Sequence, residues 1–324
     1  MRTGVIGVGS MGRNHARVLS ETSELIGIAD TNEAAGKEVS HRLHTRHFAE
    51  ARELLGKVEA VTIATPTAYH YDVAKQALEA GVHALIEKPF CGDSGKAQQL
   101  VDLAKSQGLV LAAGMVERHN PAVSFARNSL EEGQYGDLIT TSARRVSSFP
   151  SRVADVGVIL DLAIHDIDVM SHLIGSPVVS VYSLARGSRK PEQEDHANIL
   201  LSFQNGVHGF LEANWLTPMK VRKLALTCSK CFVELDYTEQ SLSISSSTLV
   251  KFDPYNLYQL PFDVDVRKVT LQRQEPLARE ITDFLRAITE KGEPLAGGEE
   301  AVSDLLVAEA AARSLQEGKA VFLD

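Results

Sequence analysis

The chain has 324 residues, of which 44% are hydrophobic and 23% charged, and it carries a formal net charge of −9. That length and balance suit a globular protein of two domains. The negative charge argues against general nucleic-acid binding, which needs a basic face. No apolar stretch reaches the roughly 20 residues of a membrane span.

Residues 3–8 read as a short apolar strand that starts almost at Met1. No room is left for a signal peptide, so a cytoplasmic location is expected. Gly7-Val8-Gly9-Ser10-Met11-Gly12 follows as a G-x-G-x-x-G turn, with a helix expected over 13–20. A second apolar strand, 25–29, ends on Asp30. In such a unit the first glycine permits the tight turn and the second lets backbone N–H groups approach a pyrophosphate. The third allows close helix–strand packing. The helix N-terminus favours the phosphate charge. Asp30 is spaced to accept hydrogen bonds from a ribose 2′-OH and to repel a 2′-phosphate, so NAD is expected over NADP.

The alternation continues with helices at 32–41, 49–55, 68–80 and 93–107 and strands at 58–64, 83–87 and 109–113. Gly81 and Gly108 stand where left-handed helix caps are needed. The pattern predicts a parallel sheet covered by helices, with ligands at the carboxyl ends of its strands. Those ends carry the glycine turn, Asp30, Thr65-Pro66 and Glu87-Lys88-Pro89. His41, His44 and His47 recur every third residue, but Arg42 and Arg46 lie among them without an acidic cluster. They read as a solvated helix end leading into a strand rather than a metal site.

The pattern changes after Pro121. A helix is expected at 121–131, a strand at 138–145, and a helix at 158–173 beyond a loop containing Pro150. Strand-like segments follow at 177–186, 195–203, 207–215, 221–228, 231–237 and 241–251, with Asn205-Gly206 as a hairpin signal. Helical segments at 276–290 and 299–317 close the chain. The expected architecture is an α/β Rossmann domain with a parallel sheet over 1–120, then an α+β domain with a largely antiparallel sheet over 121–324. Cys91, Cys228 and Cys231 form no disulfide framework. Cys228 and Cys231 have C-x-x-C spacing, yet positions three apart on one strand face opposite sides. Packing is therefore expected of them rather than zinc or redox chemistry.

Three constellations could carry chemistry. Lys88 ends a buried strand at the cofactor edge, where it can point at a reacting centre. Asp161 and His165 are four apart and share a helix face with Asp168, and His172, seven beyond His165, continues that stripe by helical spacing. A buried histidine beside a carboxylate is a natural general base; a core histidine or a metal site are the other readings. The upstream dinucleotide unit favours proton transfer, because removing hydride from an alcohol needs only a base for its proton. Thirdly, Glu117, Arg118 and Asn120 stand at the junction of the two expected domains, followed by Arg144, Arg145 and Arg152. Arginine suits carboxylate or phosphate, although adjacent arginines in a strand face opposite ways and a solvated basic rim is the bland alternative.

These residues resemble the Gfo/Idh/MocA family, which includes glucose–fructose oxidoreductase and inositol dehydrogenase. The resemblance covers essentially the whole chain. It rests on Gly7–Gly12 with Asp30, Ala64-Thr65-Pro66 with His70, Glu87-Lys88-Pro89, and Asp161 with His165. It implies an open-faced second sheet through which the chain forms a homodimer or homotetramer. It also implies NAD(P)-dependent oxidation of a sugar or polyol hydroxyl. Cofactor contacts are then implied for Gly7, Gly9, Ser10, Met11, Gly12, Asp30, Thr65, Pro66, His70, Glu87 and Lys88. Lys88, His165 and Asp161 would be catalytic, and Glu117, Arg118, Asn120, Arg145 and Arg152 would join them around the substrate; no metal is implied. Glu117-Arg-His-Asn-Pro-Ala-Val123 resembles the E-R-F-N-P-A-V element of UDP-N-acetylglucosamine 3-dehydrogenases, with His119 in place of Phe. The implied substrate is a UDP-amino sugar oxidised at C3. A myo-inositol or simple sugar dehydrogenase, and a non-catalytic NAD-sensing protein on the same fold, are the alternatives.

Overall fold

The computed structural model describes residues 1–149, 156–188, 193–249, 255–256, 258 and 262–323. They form two compact units, Met1–His119 with Gln274–Glu309, and Asn120–Arg273 with Ala310–Asp324. The first unit therefore takes in a late segment that a contiguous split at 120/121 assigns to the second.

In the first unit, β1 (Arg2–Ile6), β2 (Glu24–Ala29), β3 (Arg46–Phe48), β4 (Ala60–Ile63), β5 (His83–Glu87) and β6 (Leu111–Gly114) make one sheet in the order β3-β2-β1-β4-β5-β6. Every ladder is parallel. This is the doubly wound order, and its reversal between β1 and β4 opens a crevice at the strand ends. The connecting helices are α1 (Ser10–Thr22), α2 (Glu33–Arg42), α3 (Ala51–Leu55), α4 (His70–Glu79) and α5 (Ser94–Gln107). Gly81 and Gly108 both have positive φ, as their cap positions require. β3 is a three-residue strand absent from the expected set. α8 (Pro276–Glu290) also belongs to this unit. Its Leu277, Ile281, Phe284 and Leu285, at helical spacing, complete the core built by Val5, Val8, Leu19 and Ile28.

The second unit holds α6 (Pro121–Glu131) and α7 (Ile164–Ile174), the latter extended at its start by a π-helical turn, Ile159–Ala163. Its sheet comprises β7 (Leu138–Ser148), β8 (Val178–Arg186), β9 (His196–Phe203), β10 (His208–Asn214), β11 (Leu216–Cys228), β12 (Phe232–Asp236), β13 (Ser241–Leu249), β14 (Phe262–Thr270) and β15 (Val321–Phe322). Their order is β14-β13-β12-β11-β7-β10-β9-β8-β15. Only the β7–β10 ladder is parallel. Alternation is clear in β9, where Ala197, Ile199, Leu201 and Phe203 are buried while Leu200 is exposed. β14 and β15 are additions to the expected strands. α9 (Gly298–Glu317) spans the boundary between the two units along the chain. Among the described residues, no helix is long and apolar enough to cross a membrane.

Candidate active site

β1 delivers the chain into Gly7, whose φ of +86° lies where side-chain-bearing residues are strained. A Cβ there would also come within 2.8 Å of the Ala64 and Thr65 backbone. At Gly12 a Cβ would overlap the Gly7 carbonyl oxygen, so α1 can follow the turn this closely only with glycine. A Cβ on Gly9, in contrast, meets nothing within 4 Å. Gly9 caps α1 without a side chain, and the first turn carries no acid. The leading N–H groups of α1 are thus suited to an anion.

A cavity of about 830 Å³ opens here, lined by Gly7, Gly9, Ser10, Asp30, Thr65 and Pro66 among others. Met11 and Gly12 are not part of that lining; Gly12 serves the turn's packing. Asp30 accepts from the Val8 N–H and the Asn32 N–H, each at 2.7 Å. Each carboxylate oxygen keeps a lone pair for a further donor. Arg13 also lines the cavity, and its guanidinium is held by Glu38 at 2.8 and 2.9 Å. The Thr65 hydroxyl oxygen is buried without a protein partner. An uncapped helix start, an aspartate at the end of β2 and an unpaired hydroxyl are what a dinucleotide's pyrophosphate and ribose require, so these residues fit that cofactor.

Lys88 follows directly from β5, half-buried, and is joined to Pro89 by a cis peptide bond. Glu87 is turned inward. Its Oε1 lies 2.7 Å from His15 Nε2, and its Oε2 accepts the Lys88 N–H at 3.2 Å. Burial pushes the Glu87 carboxyl up, but the His15 hydrogen bond and the charges of His15 and Lys88 bring it below the ordinary glutamate value. His70 is buried too, with Nδ1 2.8 Å from the Pro89 carbonyl oxygen and Nε2 2.8 Å from that of Thr65. It ties together the two loops that flank the crevice. The structure thus gives Glu87 and His70 internal partners.

In the second unit, the π turn and α7 carry Asp161 and His165, both buried. Four residues are close to one turn in either winding, so the two stay on one side of the helix. Asp166, on the next position, is fully buried against Arg145 of β7, with Oδ2 2.5 Å from Arg145 Nε and Oδ1 3.2 Å from Nη2. The Arg145 guanidinium also lies 5.0 Å from the Tyr237 ring centre.

Arg145 thus holds the interior of the second unit. Arg144 faces the opposite side, exposed and paired with Glu212 at 2.8 Å. Arg118 is buried and donates to the Leu295 carbonyl oxygen at 2.8 Å. Asn120 is the N-cap of α6: its side chain accepts from the Ala122 N–H and donates to the Tyr237 carbonyl oxygen. Glu117 is half-buried on a short 3-10 turn, and Arg152 lies outside the described residues. His119 is buried as its replacement of an aromatic implies; burial drives its imidazole down to about 4, with Arg279 and Arg118 adding to the shift and Asp283 opposing it.

Cys228 and Cys231 do not face opposite ways. The chain reverses between them, and the Cys228 N–H donates to the Cys231 carbonyl oxygen at 2.9 Å. Burial pushes the Cys228 thiol up to about 12, which keeps it from the reactive thiolate form. His41 and His44 are exposed, while His47 on β3 approaches the Asp30 carbonyl oxygen at 2.9 Å.

Two family profiles cover most of the chain. One, described as an oxidoreductase family with an NAD-binding Rossmann fold, matches residues 1–115. The other, the GFO/IDH/MocA C-terminal domain, matches residues 123–234. The chain belongs to the GFO/IDH/MocA oxidoreductase family. It is 35% identical to UDP-N-acetylglucosamine 3-dehydrogenase of Acidithiobacillus ferrooxidans over 89% of this chain and 88% of that one. A crystal structure of that enzyme superposes with a TM-score of 0.88 at 32% identity, covering 98% of each chain. Similarity extends at 24% identity to scyllo-inositol 2-dehydrogenase of Bacillus subtilis, over 100% of this chain and 96% of that one. Levoglucosan dehydrogenase in complex with NADH shares the fold, with a TM-score of 0.87 at 20% identity.

Proposed function

We propose that this protein oxidises a sugar hydroxyl to a ketone with NAD, acting on the C3 hydroxyl of UDP-N-acetylglucosamine or a related UDP-amino sugar. The observation that carries this reading is the 35% identity, across 88% of its length, to an enzyme named for that reaction. NAD, when bound, supplies the hydride acceptor. Lys88 holds the reacting hydroxyl oxygen and stabilises charge developing on it, and His165 takes the hydroxyl proton. Asp161 orients His165 and stabilises its charged form. Asp30, with oxygens open to a ribose 2′-OH, and Arg13, tied to Glu38, support NAD over NADP.

A second reading is favoured by one observation. Arg118 and Arg145, two of the cations a diphosphate would call on, are occupied inside the protein. A neutral substrate such as myo-inositol would not need them. Assembly as a homodimer or homotetramer is supported by the open face of the second sheet, where exposed Leu200 and Phe210 lie opposite one another on β9 and β10.

The test is NADH formation, followed by absorbance, with UDP-N-acetylglucosamine, UDP-glucose and myo-inositol in parallel. 2-Oxoglutarate is added to matched samples so that a blocked cofactor release shows as a rescued burst. Turnover confined to the UDP-amino sugar supports the first reading. Turnover with myo-inositol alone supports the second, and none with any substrate rejects both.

A further inference from the structure

His15 on α1, Glu87 at the end of β5 and Glu280 on α8 meet inside the first unit, with one ligand-type atom from each within 4.8 Å of the others. All three are buried, His15 completely. Two carboxylates and an imidazole are costly in such surroundings unless protons and hydrogen bonds offset their charge. The 2.7 Å separation of His15 Nε2 and Glu87 Oε1 is that of a charge-assisted hydrogen bond. Two ligands of one tetrahedral zinc, each about 2.0–2.1 Å from the ion, would stand roughly 3.3 Å apart. His15 and Glu87 thus stand at hydrogen-bonding distance, closer than two zinc ligands.

Its surroundings are fitted to the Glu87 carboxyl. Gly114 lies opposite Glu87 in the β5–β6 ladder. A Cβ at Gly114 would come within 2.9 Å of Glu87 Cα and 3.3 Å of its carboxyl carbon. The carboxyl oxygen that does not meet His15 accepts the N–H of Lys88. One carboxylate thus links the cluster to the peptide that launches the Lys88 side chain.

We propose that His15, hydrogen-bonded to the Glu87 carboxylate, and Glu280, within 4.8 Å of both, are positioning residues for Lys88, acting through that carboxylate on the Lys88 peptide. The inference rests on the assignment of Lys88 to the reacting hydroxyl. The lever is geometric. Rotating the Lys88 peptide by about 10° would swing Nζ by about 1 Å at the end of its side chain, a misplacement that costs on the order of 100-fold in rate.

The experiment compares wild type with His15→Met, His15→Gln, Glu280→Gln and Lys88→Met. Three quantities are read: kcat with UDP-N-acetylglucosamine and NAD, the NADH dissociation constant from nicotinamide fluorescence, and the thermal midpoint. Glutamine can place a donor near the site of His15 Nε2; methionine cannot. His15→Met is expected to lower kcat roughly 10- to 100-fold while the NADH dissociation constant stays within about threefold. His15→Gln should recover most of kcat, and Glu280→Gln should lower kcat in the same selective way. The proposal is overturned if His15→Met keeps its kcat, if NADH affinity falls in step with kcat, or if glutamine fails to rescue. It is also overturned if Glu280→Gln leaves kcat intact. Lys88→Met separates the two levels. Full turnover in that variant overturns the Lys88 assignment and the positioning role with it, whereas no turnover of UDP-N-acetylglucosamine in wild type overturns the substrate reading, and the series is then read with the substrate that is oxidised. A dead Lys88→Met beside a fully active His15→Met overturns the positioning role alone.

Discussion

Replacing His119 by phenylalanine should flatten the acid sensitivity of folding. His119 is 4% exposed, and burial drives its imidazole down to about 4 from the ordinary 6.5. Above pH 6.5 the ring is neutral in both folded and unfolded chains, and its protonation affects nothing. Between pH 6.5 and about 4 the unfolded chain takes up a proton that the folded chain refuses. Stability is therefore present above the unfolded value and drains away as pH falls towards the folded one. Each pKa unit is worth 1.36 kcal/mol, so the loss approaches about 2 kcal/mol at pH 5 and about 3 kcal/mol near pH 4. Phenylalanine has no proton to gain, while Asp283, Arg279 and Arg118 stay in place. Urea unfolding of both proteins from pH 7.5 to 4.5 gives the difference directly. Two parallel stability profiles would refute a buried neutral His119.

Other perturbations probe the two units separately. Gly12→Ala forces a methyl into the Gly7 carbonyl oxygen, so stability should fall by about 1–3 kcal/mol and NADH binding with it; a normal NADH titration would contradict the close-approach argument. Arg145→Met leaves Asp166 buried without its guanidinium and should cost about 3–5 kcal/mol in urea unfolding, whereas Arg145→Met with Asp166→Leu should recover much of the loss. Asp30→Ala removes a charged acceptor worth about 1.5–3 kcal/mol, so the KM for NAD should rise at least about tenfold and the preference over NADP should shrink. If the chain assembles through the open sheet face as proposed, wild type exceeds the monomer mass in light scattering and Phe210→Glu, which places a charge there, shifts it towards monomer; equal masses would refute that assembly.

The α/β half was legible because helices and strands alternate there with clear apolar runs, and the terminal residues of the strands fall on one edge. The 121–131 helix is also where its Asn120 cap and Pro121 place it. β3 escaped because three residues carry no periodicity. β14 escaped because Asp263, Asp265, Arg267 and Lys268 give an exposed strand a charged, loop-like composition. Alternation told that Arg144 and Arg145 face opposite ways, but which face is interior depends on what packs beneath it, and that is a tertiary fact. The same holds for Arg118 and Asn120, whose partners Leu295 and Tyr237 are distant in the chain. Only the facing of Cys228 and Cys231 was misjudged, because a turn, not a continuous strand, separates the thiols. His15 and Glu87 are 72 positions apart, and Glu280 is further still, so no local motif announces their meeting.

The return of α8 to the first unit has a consequence for synthesis on the ribosome. The glycine turn and all six parallel strands emerge early, yet Leu277, Ile281, Phe284 and Leu285 of that unit's core are made only after the whole 120–273 segment. The nascent first unit must wait with an apolar surface uncovered while the other unit grows. At about 5–20 residues per second that delay is roughly 8–30 s, long enough for a chaperone to hold the open unit, while residues 120–273 likewise await 310–324 of their own unit. A fragment stopped near residue 120 would carry the same uncovered surface permanently, which makes aggregation, rather than a miniature cofactor-binding domain, the outcome of truncation there.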